Sequence, residues 1–308
     1  MCNENIVIRI FKIQAYLEQI RRRNKLIKVI CIVDRHMLNK TAFLNTIIAY
    51  ISNLWQNLGF DYSVATISFD CDLQEDYEAL PSVLDMLRRN KIKASFAIIG
   101  KWIEIYPDIH KKIIDEGHEI INHTYTHPNN KHFSPNRRMV NLPLQEKKKE
   151  ITRFHEVCEN LLKYSPIGYR APHLGSSHGM EIYPVLKELG YKYSTSDIAL
   201  RFGSLGAPLK INDIWEFPLS LSARDIFDTP TTSVVVRDKV VIEKEYYTDI
   251  EYLINASSKP FFFNIYCDPM DVIRMSGFEN MLIKLRAQFR MITYEKLVTL
   301  LETTDGKN

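Results

Sequence analysis

The chain has 308 residues, 45% hydrophobic and 25% charged, which suits a folded domain with a sizeable core and excludes a disordered or fibrous chain. The net charge is only +3, and no tract reaches 18 uninterrupted apolar residues. Neither a nucleic-acid partner nor a transmembrane segment is therefore expected.

Residues 1–62 are expected to form an α-rich N-terminal extension of undetermined role, with a helix over 5–23, a strand over 26–33 and a helix over 41–58. This extension holds nine Lys/Arg against four acids, a net +5, which leaves −2 on the remainder. The five positives from Arg21 to Lys28 read first as a solvated helix face. A weak peripheral contact with phosphates or an anionic membrane is the alternative.

From Val64 onward strand and helix alternate. VATISFD (64–70) reads as a buried strand and 78–90 as a helix, with Leu80, Val83, Leu84 and Leu87 on one face. A strand follows over 93–100, then a helix over 102–117 closing on Gly117, a suitable residue just past a helix end, then a third strand over 118–124. Beyond a polar loop (129–142), helices are expected over 143–163, 179–190, 246–257 and 278–288, and strands over 191–196, 214–220 and 260–269. The alternation predicts parallel β-α units, and hence an α/β barrel or a doubly wound sheet over 63–302, with 303–308 as a tail.

The residues that carry chemistry fall at strand ends, where such folds place their sites. Asp70-Cys71-Asp72 ends the first strand, and His123-Thr124-Tyr125-Thr126-His127 ends the third. A spacing of four brings two imidazoles to one side across a helical turn. With Asp72 they would give three ligands and one open position, the pattern of a catalytic rather than a structural zinc site. The spacing alone is weak, since the chain has nine histidines, and the metalloprotease glutamate is missing after His123. A general base must come from elsewhere, and Asp70 is available.

In order along the chain, SFDCD (68–72), HTYTH (123–127), RAPHLG (170–175) and a late strand ending in Asp268-Pro269 resemble the polysaccharide deacetylase family, the NodB homology domain of carbohydrate esterase family four. Most similar is the Asp-x-Asp branch of peptidoglycan-deacetylase-like and allantoinase-like proteins. The resemblance implies an irregular (β/α) barrel and a hydrolase that removes an N-acyl group from an amino sugar or related glycan. It implies Asp70 as catalytic base, Asp72, His123 and His127 as ligands of a divalent metal (zinc first, cobalt or manganese otherwise), Arg170 as the partner of the base, and the backbone N–H of His173 as an oxyanion donor.

The pattern breaks at its last motif. Asp268 stands where the family offers a histidine as general acid, and Ser194 stands where an aspartate would orient that histidine. A carboxylate beside a cation is expected to stay ionised and unable to donate, or to add a ligand to the metal. Asp70 acting as both base and acid, or a proton from His173 or His178, would restore the reaction. A different amide or ureide substrate, or a non-hydrolytic carbohydrate-binding role, are the alternatives. Arg137 and Arg138 in the polar loop are candidates to meet an anionic substrate group. His132 is expected to stay away from the metal, Cys71 and Cys267 to turn into the core, and Trp102 and Trp215 to belong to the barrel wall. The five cysteines form no C-x-x-C pair and the N-terminus has no secretory pattern, which favours reduced thiols and a cytoplasmic location.

Overall fold

A computed structural model of the chain describes residues 40–174, 179–199, 206–223, 229–239, 241–256 and 258–305. The helix expected over 5–23, the strand over 26–33, the basic run 21–28 and His178 lie outside the described residues.

The fold is built around β1 (Val64–Cys71), whose eight residues are all buried, as a strand covered on both faces must be. β2 (Ser95–Ile98) pairs with it in parallel on one side and β8 (Phe262–Cys267) on the other. Beyond β2 the parallel order continues through β3 (Glu119–Asn122), β4 (Gly168–Tyr169), β5 (Tyr193–Ser194) and β7 (Ile214–Glu216). β6 (Leu209–Ile211) adds an antiparallel edge to β7, and β9 (Arg290–Met291) pairs with the start of β1. The strand beyond β7 reaches back toward β8, because Ser220 N–H donates to the Asn264 carbonyl at 2.8 Å and the Asn264 amide donates to Phe217 and Pro218 carbonyls at 3.0 Å. The sheet therefore curls toward closure as an irregular, mixed barrel.

Gly168 makes one close approach possible. A Cβ at this position would lie 2.0 Å from the Tyr193 ring, so the β4–β5 pair requires the missing side chain.

Helices cover the outside. The expected helix over 102–117 is two helices, α3 (Gly100–Ile105) and α4 (Pro107–Asp115), because Pro107 bars Tyr106 from helical geometry and starts a new helix at its own first position. Gly117 follows with φ +76°, the left-handed conformation expected there. α2 (Gln74–Arg89) begins a turn earlier than its apolar stripe, and α5 (Leu144–Leu162) and α10 (Phe278–Gln288) match their expected spans closely. α6 (Ile182–Glu188) and α8 (Glu243–Asn255) complete the expected set. Three short elements carried no periodic signal: β6, α7 (Ser233–Val236) and α9 (Pro269–Arg274).

The sequence boundary at residue 62 falls inside a packed unit. α1 (Lys40–Asn57) buries Leu44, Ile47 and Ile48 in the main core, and Trp55 stacks on Phe60 and Phe262 with ring centroids at 4.2 and 5.6 Å. The tail is also structured at its start, since α11 (Tyr294–Asp305) runs past residue 302. No helix among the described residues is long and apolar enough to cross a membrane.

Candidate active site

The parallel strands deliver their carboxyl ends to one rim. β1 ends in Asp70 and Cys71, β3 leads into His123, β4 into Arg170 and β8 into Asp268. Alternation along β1 and β8 buries Cys71 and Cys267 completely, as expected for residues facing the core.

Asp72, His123 and His127 come together with their ligand atoms within 4.8 Å of one another. His123 Nε2 lies 3.4 Å from Asp72 Oδ1, and His127 Nε2 lies 3.5 Å from Asp72 Oδ2. Donors 2.0–2.1 Å from a zinc ion at tetrahedral angles stand about 3.4 Å apart, so these separations match the edge of such a shell. The donor set fits a cation in a second way. Asp72 Oδ1 and both ring nitrogens of His127 are buried without a hydrogen-bond partner, an arrangement costly to leave unfilled. Asp72 keeps 24% of its side chain exposed, which opens the cluster to solvent while both imidazoles are sealed.

The imidazoles do not converge across a helical turn, as the spacing suggested. His123 to His127 is a tight loop, with Thr124 at φ +67° and His127 at φ +50°, positions that non-glycine residues seldom adopt. Polar side chains hold it there. Asn122 Oδ1 accepts from Thr124 N–H at 2.8 Å, Thr124 Oγ1 accepts from His127 N–H at 3.1 Å, and buried Glu150 accepts from the Thr126 N–H and hydroxyl at 2.8 Å each. The Asp72 carbonyl accepts from Asn130 Nδ2 at 2.9 Å and from Trp102 Nε1 at 3.2 Å, tying the two ligand loops together. Asp76, opening α2, accepts from the Asp72 and Leu73 N–H groups at 3.1 and 2.9 Å.

His123 Nδ1 lies 2.9 Å from the Arg170 carbonyl, to which its N–H donates, leaving Nε2 as a lone pair aimed at the cluster. Burial lowers His127 to about 3, so its imidazole stands neutral. Burial acts the same way on His123, but Asp72 and Asp70 outweigh it and raise its proton affinity.

Asp70 sits at the edge of the cluster, 3.9 Å from His123 Nε2, and is paired with fully buried Arg170. Arg170 is itself surrounded. Its Nη2 donates to Ser68 Oγ at 2.8 Å and Tyr294 OH at 3.1 Å, and its Nε donates to the Thr195 carbonyl at 3.1 Å. His173 reaches the same rim with its ring 4.8 Å from that of His127, on a backbone held at φ +59°. His132 is exposed and packs its ring toward Trp102, away from the ligands.

Asp268 departs from expectation. It is absent from the ligand cluster and bonds Arg237 instead, Nη2 to Oδ2 at 2.5 Å, while Arg237 Nε reaches Asp271 at 3.3 Å. Burial, with Asp76 and Asp271 nearby, raises its carboxyl well above the ordinary range despite Arg237. Arg237, Asp271 and Tyr294 had no local signal, because each acts through partners dozens of residues away or more.

Residues 60–194, which hold Asp70, Asp72, His123, His127, Arg170 and His173, match a family model described as polysaccharide deacetylase. The match spans less than half of the chain and makes this stretch similar to polysaccharide deacetylases. A peptidoglycan-N-acetylglucosamine deacetylase of Bacillus cereus is 33% identical over 112 residues, covering 36% of this chain and 38% of that relative. The chain thus aligns with less than two fifths of that deacetylase's length. Among solved structures, a polysaccharide deacetylase candidate from Mycobacterium smegmatis superposes with a TM-score of 0.61 at 16% identity, over 80% of this chain and 92% of the other. A family-four carbohydrate esterase pseudoenzyme from Bacillus anthracis gives 0.52 at 15% identity, over 77% and 66%. At these identities the two structures establish a shared deacetylase fold.

Proposed function

We propose that the chain is a metal-dependent hydrolase that removes an N-acetyl group from an amino sugar of a glycan. The observation that carries this reading is the Asp72–His123–His127 cluster with the Arg170-held carboxylate of Asp70 at its edge. A divalent ion bound by those three residues, zinc by the nature of the donors, would polarise the amide carbonyl and acidify the attacking water.

Asp70 accepts the proton as water adds to the carbonyl carbon. Its carboxylate cannot swing away, because Arg170 holds it and Ser68, Thr195 and Tyr294 hold Arg170. The backbone N–H of His173 serves the developing oxyanion. The C–N bond then breaks, acetate forms, and the proton taken by Asp70 passes to the leaving amine. Arg237 cannot supply that proton, since Asp268 and Asp271 hold its guanidinium charged. Asp268, lifted by burial, stands as a second carboxyl paired with Arg237.

Release of acetate from N-acetylglucosamine oligomers and from peptidoglycan by the purified chain tests this. Asp70→Asn should cut the rate by about 100-fold or more, the typical worth of a positioned base, while leaving metal content unchanged. Full activity in that variant would overturn the assignment of Asp70. A second reading has one observation in its favour: Asp268, where the resemblance implies a histidine, is paired with Arg237. Binding of glycans with no acetate release from any of them, under zinc, cobalt and manganese, would establish a non-hydrolytic carbohydrate binder.

A further inference from the structure

The polar loop after His127 encloses a pocket of about 450 Å³ that the hydrolytic reading does not use. Its polar lining is Asn129, Asn136, Arg137, Arg138 and Asn141. These are two guanidinium groups and three amides, with no carboxylate among the lining residues, and the volume falls within the range of small-ligand sites. The two arginines differ. Arg137 spends its charge on Glu146 and Glu150, at 3.4 and 3.5 Å, and through Glu150 it is tied to the ligand loop at Thr126. Arg138 is exposed and makes no ion pair among the described residues.

The pocket adjoins the candidate metal site through the chain itself. Asn129 is two residues from His127, at most about 7 Å of extended backbone. Asn129 sits at φ +86°, its N–H donates to the Ser134 carbonyl at 2.9 Å, and Asn130 fastens the same turn to Asp72. A sugar with its acetamido group at the cluster would extend a neighbouring substituent over this loop. The one formal charge in the pocket without a protein counter-ion is the planar, multidentate donor suited to carboxylate or phosphate.

We propose that this pocket binds an anionic group, carboxylate or phosphate, carried by the acylated sugar or its neighbour on the glycan, and that Arg138 is the side chain that reads it. The inference rests on the deacetylase reading for its choice of ligand, but its test does not depend on turnover. Titration calorimetry compares N-acetylglucosamine, N-acetylmuramic acid and N-acetylglucosamine 6-phosphate on the unaltered chain and on Arg138→Gln. At least one anionic sugar should bind tenfold or more tighter than the neutral sugar, and that advantage should vanish in Arg138→Gln, with binding of the neutral sugar unchanged. The anion preferred, carboxylate or phosphate, identifies the substituent. Equal affinity for the charged and neutral sugars, or an advantage that survives Arg138→Gln, overturns the proposal. Arg138-dependent binding without acetate release from any sugar leaves the pocket standing and removes the hydrolase. Acetate release indifferent to both substrate charge and residue 138 does the reverse.

Discussion

At the residue scale, the candidate site depends on a carboxylate that is held rather than merely present. Tyr294 is the clearest case of a residue acting through another. Its hydroxyl donates to Asn264 Oδ1 at 2.6 Å and accepts from Arg170 at 3.1 Å, so it fixes the guanidinium that fixes Asp70. Removing that hydroxyl by Tyr294→Phe takes one acceptor from the buried Arg170 guanidinium, at a cost of about 1–3 kcal/mol. The expected kinetic result is a kcat reduced about tenfold, with KM and metal content nearly unchanged, because substrate contacts are not touched. A parallel loss in KM would place Tyr294 on the substrate instead. Asp70, Asp72, His123 and His127 were legible in the sequence because their two motifs end apolar runs that mark strand ends, and Arg170 because its motif carries the family resemblance. Tyr294 and Arg237 were not. Tyr294 lies 124 positions from Arg170 and Arg237 lies 31 from Asp268, separations over which no periodic pattern reports contact.

At the element scale, α1 behaves as part of the barrel and not as an appendage. Trp55 is fully buried, stacked between Phe60 and Phe262, with its Nε1 donating to the Tyr62 carbonyl at 2.9 Å. Trp55→Ala should therefore lower the unfolding free energy by about 3–5 kcal/mol in urea, the usual cost of emptying a large aromatic site. A loss below about 1 kcal/mol would show that α1 packs only loosely. The composition shift near residue 62 suggested a boundary because the basic run lies before it, yet the amphipathic helix over 40–57 needed a partner surface and finds it on the sheet. Long helices were read well for the same reason that their ends were not. Apolar periodicity marks the covered face, whereas the break at Tyr106–Pro107 and the tight His123–His127 loop depend on single backbone angles.

At the scale of the whole molecule, buried titratable groups set a stability window in pH. Burial raises Glu119 from 4.5 to about 7, with Ser95, Tyr193 and the Glu295 N–H around its carboxyl. Its folded-state value lies above its unfolded one, so its contribution is complete below about 4.5 and is lost as pH rises through about 7. Burial lowers His110 from 6.5 to about 4, so its contribution is complete above 6.5 and is lost as pH falls through about 4. Urea unfolding between pH 5 and pH 8 should show a decline on the alkaline side of up to about 3 kcal/mol from Glu119, flattened in Glu119→Gln. An identical slope in that variant would assign the decline to another group.

The functional expectations presuppose that two strand ends bring one carboxylate and two imidazoles around a cation. Elemental analysis of the purified chain, loaded with zinc and desalted, next to the double variant His123→Ala/His127→Ala, reads this most directly. The intact chain should retain close to one ion per molecule and the variant none, with the same circular dichroism. Equal retention by both, or none by the intact chain, would mean that Asp72, His123 and His127 are not a metal site.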